Sequence, residues 1–276
     1  LLLERCDSRC EHTFEHEPTL CCARMSGLRI ERDGPVLRIT LARPERRNAF
    51  DAELIAELTE AFGNVADARA VLLGGDGQAF CAGADVEWQR ASIDLTYEQN
   101  VEDALRLYRM LAAVDACPAP VVARIQGYCL GGGCGLAACC DIAVCGDDAV
   151  FGFSEVKLGI IPAVISPFAL AKIGSGAARR YFLTGERFGP EVALRIGLVS
   201  QIAPGLDSVV EGVVDELLAS GPAAVREAKR LVRPEAPDGL ELAELAARMR
   251  TSDEGQEGLR AFLDKRPPAW KSGSSS

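Results

Sequence analysis

Pro120-Val-Val-Ala-Arg-Ile-Gln-Gly127 runs into Tyr128-Cys-Leu-Gly131-Gly132-Gly133-Cys134-Gly135-Leu-Ala-Ala-Cys-Cys-Asp141 and Ile142-Ala-Val-Cys145. Val150-Phe-Gly-Phe-Ser-Glu155 follows, and Leu158-Gly-Ile-Ile-Pro162 closes the stretch on which the rest of the chain depends. An apolar strand over Val121–Ile125 meets three consecutive glycines, then a helix of small residues ending near Cys140. Glycines let backbone approach a ligand closely, and a helix starting there aims free N–H groups and a positive dipole end at the same point. Glu155 ends a short strand among apolar neighbours. Backbone donors beside one carboxylate suit proton transfer next to a polarised carbonyl.

Upstream, residues 28–41 read as a β-hairpin turning at Asp33-Gly34, with Leu37, Ile39 and Leu41 on one face. Asp51 caps a helix carrying Leu54, Leu58 and Phe62 at i, i+4, i+8. Ala70-Val-Leu-Leu-Gly74 is a buried strand, and Phe80-Cys-Ala-Gly83-Ala84-Asp85 a second glycine-centred loop. A helix over 97–115 places Val101, Leu105 and Tyr108 on one side. Downstream, Ser166-Pro167 opens a helix that Gly174 closes, and Gly189-Pro190 and Gly197 bracket another. Beyond Pro204 the pattern is helical, near 207–219, 222–232, 238–250 and 253–264. Pairs of strands alternating with helices predict an α/β fold with a helix-covered sheet.

A chain of 276 residues, 48% apolar and 25% charged, fits a globular domain. No apolar run reaches bilayer-spanning length, and a net charge of −10 argues against nucleic acid or an anionic membrane as partner. Residues 1–24 lack periodicity and hold Cys6, Cys10, Cys21, Cys22, His12 and His16 in spacings that match no zinc pattern. They read as a disordered tail, native or vector-derived, before a start at Met25; residues 271–276 read as a flexible end. The body, 25–204 plus a helical region over 205–270, keeps seven of the eleven cysteines and neither histidine. That removes Ser-His-Asp and Cys-His hydrolases and histidine-held metals; no metal site is expected. The cysteines sit in apolar segments, as core residues of a reducing, cytoplasmic protein would.

Seven segments together resemble the crotonase (enoyl-CoA hydratase/isomerase) superfamily, over roughly 27–270. They are Arg43-Pro-Glu-Arg-Arg-Asn48-Ala-Phe50, Ala79-Phe-Cys-Ala-Gly83-Ala-Asp85, Gly127-Tyr-Cys-Leu-Gly-Gly-Gly133-Cys134 and Cys140-Asp-Ile142. Phe151 to Pro162, Ala193-Leu-Arg-Ile-Gly-Leu-Val199 and Glu257-Gly-Leu-Arg-Ala-Phe262 complete the set. The resemblance implies a spiral of ββα units with a C-terminal helical region that builds trimers, usually paired into hexamers. It implies an acyl-CoA thioester whose carbonyl oxygen accepts backbone N–H bonds from Ala84 and Gly132. Coenzyme A then arrives as part of the substrate and no separate cofactor is called for. Ala84, Asp85, Val86 and Glu87 would line the CoA path, and Phe262 and Lys265 would close over it, often from a neighbouring subunit. Arg43, Arg46 and Arg47, three cations in an acidic protein, suit its phosphates.

Two departures stand out. Family hydratases with two glutamates carry the first where this chain has Gly135, and Ala163-Val-Ile-Ser-Pro167 replaces a Gly-Gly-Thr-Gln type turn. In this the chain resembles hydratases of branched, sometimes carboxylated enoyl-CoAs, such as methylglutaconyl-CoA and carboxygeranoyl-CoA hydratases of leucine and isoprenoid breakdown. Against these roles stand plainer ones: Asp85 as a helix cap, Asp103 and Glu98 as solvated charges within reach of the site, Asp141 as structural. The leading functional expectation is reversible hydration of an α,β-unsaturated acyl-CoA with Glu155 as acid–base. A 3-enoyl to 2-enoyl isomerase, needing one carboxylate and no water, is the alternative. A catalytically silent acyl-CoA-binding protein is the alternative of another class.

Overall fold

Strands β1 (Cys21–Arg24), β2 (Leu28–Asp33) and β3 (Val36–Leu41) pair antiparallel at the head of the molecule in the computed structural model, which describes residues 21–65, 67–232 and 238–271. The expected tail thus lies outside the described residues up to position 20, and its last four residues join the sheet. Asp33 pairs with Val36, so the turn is Gly34-Pro35, one residue later than the sequence suggests. Pro35 has no N–H to give a ladder and is excluded from it. As expected, the Asp51 side chain accepts from Leu54 N at the start of α1 (Ala52–Gly63), and Leu54, Leu58 and Phe62 are buried.

Three units then repeat one plan, a strand for each of two sheets followed by helix. β4 (Ala70–Gly75) and β5 (Ala79–Cys81) lead to α2 (Val86–Ser92) and α3 (Tyr97–Asp115). β6 (Val121–Ile125) and β7 (Tyr128–Leu130) lead to α4 (Gly132–Cys139). β8 (Ile142–Cys145) and β9 (Val150–Gly152) lead to a 3-10 turn, Glu155–Leu158, and α5 (Ser166–Thr184). Short β10 (Arg187–Phe188), α6 (Pro190–Arg195) and β11 (Gln201–Ile202) finish the edges. Among the described residues the larger sheet runs β1-β2-β3-β4-β6-β8-β11, parallel from β3 onward, and the smaller runs β10-β9-β7-β5. This is the ββα spiral the resemblance implies. Because both faces of the large sheet are covered, its strands are continuous apolar runs rather than alternating ones. Val71, Leu73, Val121 and Ala123 face the main core; Leu72, Val122 and Val144 face Val210 and Val214 of α7 (Leu206–Ala219).

Three sequence expectations need correcting. Val101, Leu105 and Tyr108 lie on the outer side of α3, and Met110, Leu111 and Val114 are its buried residues. Gly174, with φ +67°, kinks α5 without ending it; the helix resumes to Thr184 and Gly185 terminates it. Of the helical region over 205–270, expected as an oligomerisation region, α7 instead packs its buried Val210 and Val214 onto the large sheet. α8 (Pro222–Leu231) is tied down where Lys229 Nζ meets Asp141 Oδ2 at 2.7 Å. Asp141, expected to be structural, also accepts from Val121 N at 2.7 Å. α9 (Gly239–Thr251) and α10 (Asp253–Leu263) leave Leu240, Phe262 and Leu263 exposed. The seven body cysteines are buried and free, and burial pushes the thiols of Cys81, Cys140 and Cys145 up to about 12. They are core residues, not nucleophiles. No helix among the described residues is long and apolar enough to cross a membrane.

Candidate active site

The exits of β5 and β7 build the site. After β5, Gly83 adopts φ +90°, where a Cβ would stand 2.9 Å from Leu130 O. Only glycine tolerates both that torsion and that approach. The loop is fastened to the 47–50 segment: Ala82 N donates to Arg47 O at 3.0 Å, Phe50 N to Gly83 O at 2.7 Å and Asp85 N to Phe50 O at 2.7 Å. The Ala84 N–H between them finds no acceptor among the described residues.

After β7, Gly131 N donates to Gly152 O at 2.8 Å, and α4 begins at Gly132. As the first helical residue, Gly132 has an amide with no partner inside its helix, and none elsewhere among the described residues. The two loops adjoin, since a Cβ on Gly83 would lie 3.7 Å from Gly132 N. Two unpaired N–H groups therefore sit side by side at a helix N-terminus, where developing negative charge is stabilised.

Glu155 opens the 3-10 turn three residues beyond β9, not the strand end itself. Its Oε1 lies 3.2 Å from where a Cβ on Gly131 would stand, and its Oε2 is buried with no hydrogen-bond partner among the described residues. Burial raises its carboxyl above the usual range, opposed only by a backbone hydrogen bond. Ala84, Gly132 and Glu155 line one cavity of about 420 Å³, walled by Phe50, by α2 and α3, and by residues 158–165.

The departures at 135 and 163–167 prove to be one physical change. A Cβ on Gly135 would meet Ile165 Cγ2 at 2.5 Å, and Ile165 is buried. Space that a side chain at 135 would need is filled from the other loop.

The remaining candidates scatter. Asp85 caps α2, its Oδ1 accepting from Glu87 N at 2.9 Å, while Val86 is exposed and Glu87 pairs with Arg90 at 2.7 Å. None of these three lines the cavity. Arg43 is buried, with one Nη 2.6 Å from Asp51 Oδ2 and the other 2.6 Å from Ala49 O, so its charge is spent inside the loop. Arg46 is half-exposed, 3.7 Å from both Asp51 and Asp85, and Arg47 lies over the Tyr128 ring at 5.5 Å. Phe262 and Lys265, at and just beyond the end of α10, are exposed and do not line the cavity of their own chain.

Sequence reading missed Trp88, Gln89 and Asn100 on the cavity wall and treated Asp103 as a solvated charge. A signal existed. Asn100, Asp103, Ala104 and Leu107 stand at i, i+3, i+4, i+7, a complete stripe of α3. Its mixed polarity hid it.

A family model described as enoyl-CoA hydratase/isomerase matches residues 31–273. The chain belongs to this family. Enoyl-CoA hydratase AKT6-1 of Alternaria alternata is 35% identical over 217 residues, 76% of this chain and 71% of that protein. An enoyl-CoA hydratase crystal structure from Shewanella pealeana superposes with TM-score 0.83 at 38% identity, covering 88% of this chain and 96% of the other. Pseudomonas aeruginosa AtuE superposes with TM-score 0.85 at 35% identity, covering 89% and 100%. The two solved structures share the fold of this chain over nearly nine-tenths of its length.

Proposed function

We propose that this protein reversibly hydrates 2-enoyl-CoA thioesters, with Glu155 as the single acid–base residue. The observation that carries the reading is Glu155, with a buried and unpartnered Oε2, lining the same cavity as Ala84 and Gly132, whose N–H groups are unpaired. The thioester oxygen accepts from Ala84 N–H and Gly132 N–H. Glu155 takes a proton from water as the water oxygen bonds to the β-carbon, and electron density moves onto the thioester oxygen as an enolate. The same carboxyl then returns its proton to the α-carbon, so H and OH have been added and Glu155 is again ionised. Removing one oxyanion donor commonly costs about 3 kcal/mol of barrier.

Of the three arginines expected at the CoA phosphates, Arg46 and Arg47 remain available, and Arg43 is taken up by Asp51 and Ala49. Phe262 and Lys265 do not line the cavity of their own chain, which supports a role from a neighbouring subunit.

Isomerisation of a 3-enoyl to a 2-enoyl thioester is the second reading. The observation favouring it is the loss of side-chain space at Gly135, which removes the first of the two glutamates that hold a water in other family hydratases. Glu155 would shuttle a proton between the α- and γ-carbons. Mixing the protein with a 2-enoyl-CoA in 18O-water decides between them. Hydration predicts loss of enoyl absorbance with 18O in the product. Double-bond migration without 18O supports the isomerase, and no turnover at all supports a silent acyl-CoA binder. In the hydratase case Glu155→Gln lowers kcat by roughly a hundredfold or more while CoA affinity holds; a variant retaining most turnover overturns the role of Glu155.

A further inference from the structure

The α3 wall of the cavity carries a charge that the proposed chemistry does not use. Asp103 lines the same cavity as Glu155, and its side chain is 16% exposed. Burial raises its carboxyl above the usual range, with the Arg106 guanidinium and the Trp88 indole pulling the other way. Arg106 stands off at 3.9 Å with a half-exposed side chain and does not line the cavity. Among the described residues, no Lys, Arg or His lines it at all. Asn100, one turn earlier, commits its Nδ2 to Ser92 O, Leu95 O and Thr96 O, leaving an oxygen as the group it can offer. This wall therefore presents acceptors and negative charge.

We infer that Asp103 sets acyl specificity, excluding acyl chains that end in a carboxylate and admitting neutral ones. A second carboxylate brought beside Asp103 would lose its water, meet a like charge and find no cation among the described lining residues of its own chain. The inference rests on the hydratase reading and names the substrate class within it, and it departs from the carboxylated acyl group that the sequence resemblance suggested.

The test compares two five-carbon thioesters, 2-pentenoyl-CoA and glutaconyl-CoA, which differ by a methyl or a carboxylate at the chain end. Wild type is expected to favour pentenoyl-CoA by at least tenfold in kcat/KM. Asp103→Asn, isosteric and still neighbour to the Trp88 indole, is expected to narrow that ratio at least fivefold. Wild type that accepts both equally, or a ratio unmoved by Asp103→Asn, overturns the inference and leaves the hydratase reading standing. Wild type that hydrates neither thioester overturns the hydratase reading, and this inference with it.

Discussion

Glu155, the proposed acid–base, is a group whose burial acts against the stability of its own fold. Its Oε2 is buried without a partner, and burial favours the neutral acid. A carboxyl whose folded pKa is raised costs nothing below its unfolded pKa, near 4.3 in model peptides, and stability falls as pH rises through the folded value. Glu155→Gln should therefore raise Tm at pH 8 and leave it nearly unchanged at pH 4; a gain that is equal at both would mean ionisation is not the cause. The rate follows the opposite logic, because the base must be ionised to accept a proton from water. Hydration should fall as pH drops through the raised pKa, with its acid limb above the ordinary carboxylate range. Arginines near Asn48 look equivalent in sequence and differ in place. Arg43→Ala breaks a buried pair with Asp51 and should cost about 3 kcal/mol in urea unfolding. Arg46→Ala with Arg47→Ala should instead spare stability and weaken CoA binding roughly tenfold, less so at high salt. If calorimetry finds CoA affinity unchanged in that double variant, the phosphates lie elsewhere.

At the scale of elements, α4 and the 163–167 loop form one packed unit. Seven residues of α4 are buried, from Gly133 to Cys139, which is why the helix is built from Gly, Ala and Cys with one Leu. Gly to Ala inside a helix ordinarily gains up to about 1 kcal/mol. At Gly135 the sign should reverse, because the new methyl meets Ile165, and overpacking costs about 1–3 kcal/mol. Ile165→Ala alone should also destabilise by leaving a void. Combined, the two should cost clearly less than their sum, a coupling that a double-mutant cycle in denaturant measures; strict additivity would show that the residues do not share the space. Both departures were readable in the chain, yet nothing in the sequence said they touch. Spacing reports on one element at a time. For the same reason the three-glycine turn, the Asp51 cap and the strand pairs were legible, while the α3 stripe holding Asp103 was not. The apolar residues at 101, 105 and 108 have good helical spacing but face outward, because the cavity rather than the core takes the adjoining face.

The whole molecule leaves its last two helices short of neighbours. α10 ends with Phe262 80% exposed and Leu263 75% exposed, and Leu240 on α9 is 70% exposed. Exposed large apolar residues concentrated on two helices usually mark an interface, and closed symmetric assemblies are the common solution. The expected acyl-CoA contacts from Phe262 and Lys265 require the same thing, since neither lines the cavity of its own chain. Trimers or hexamers joined through α8–α10 are therefore expected, with each site completed by an adjacent copy. Sedimentation at micromolar concentration should find three or six copies, and a monomer would refute the assembly. Phe262→Asp with Leu263→Asp places two charges in the interface without touching the described cavity. That variant should sediment as a smaller species and raise KM for the CoA thioester far more than it lowers kcat. Dissociation with KM unchanged would mean that the copies assemble but each chain binds CoA alone.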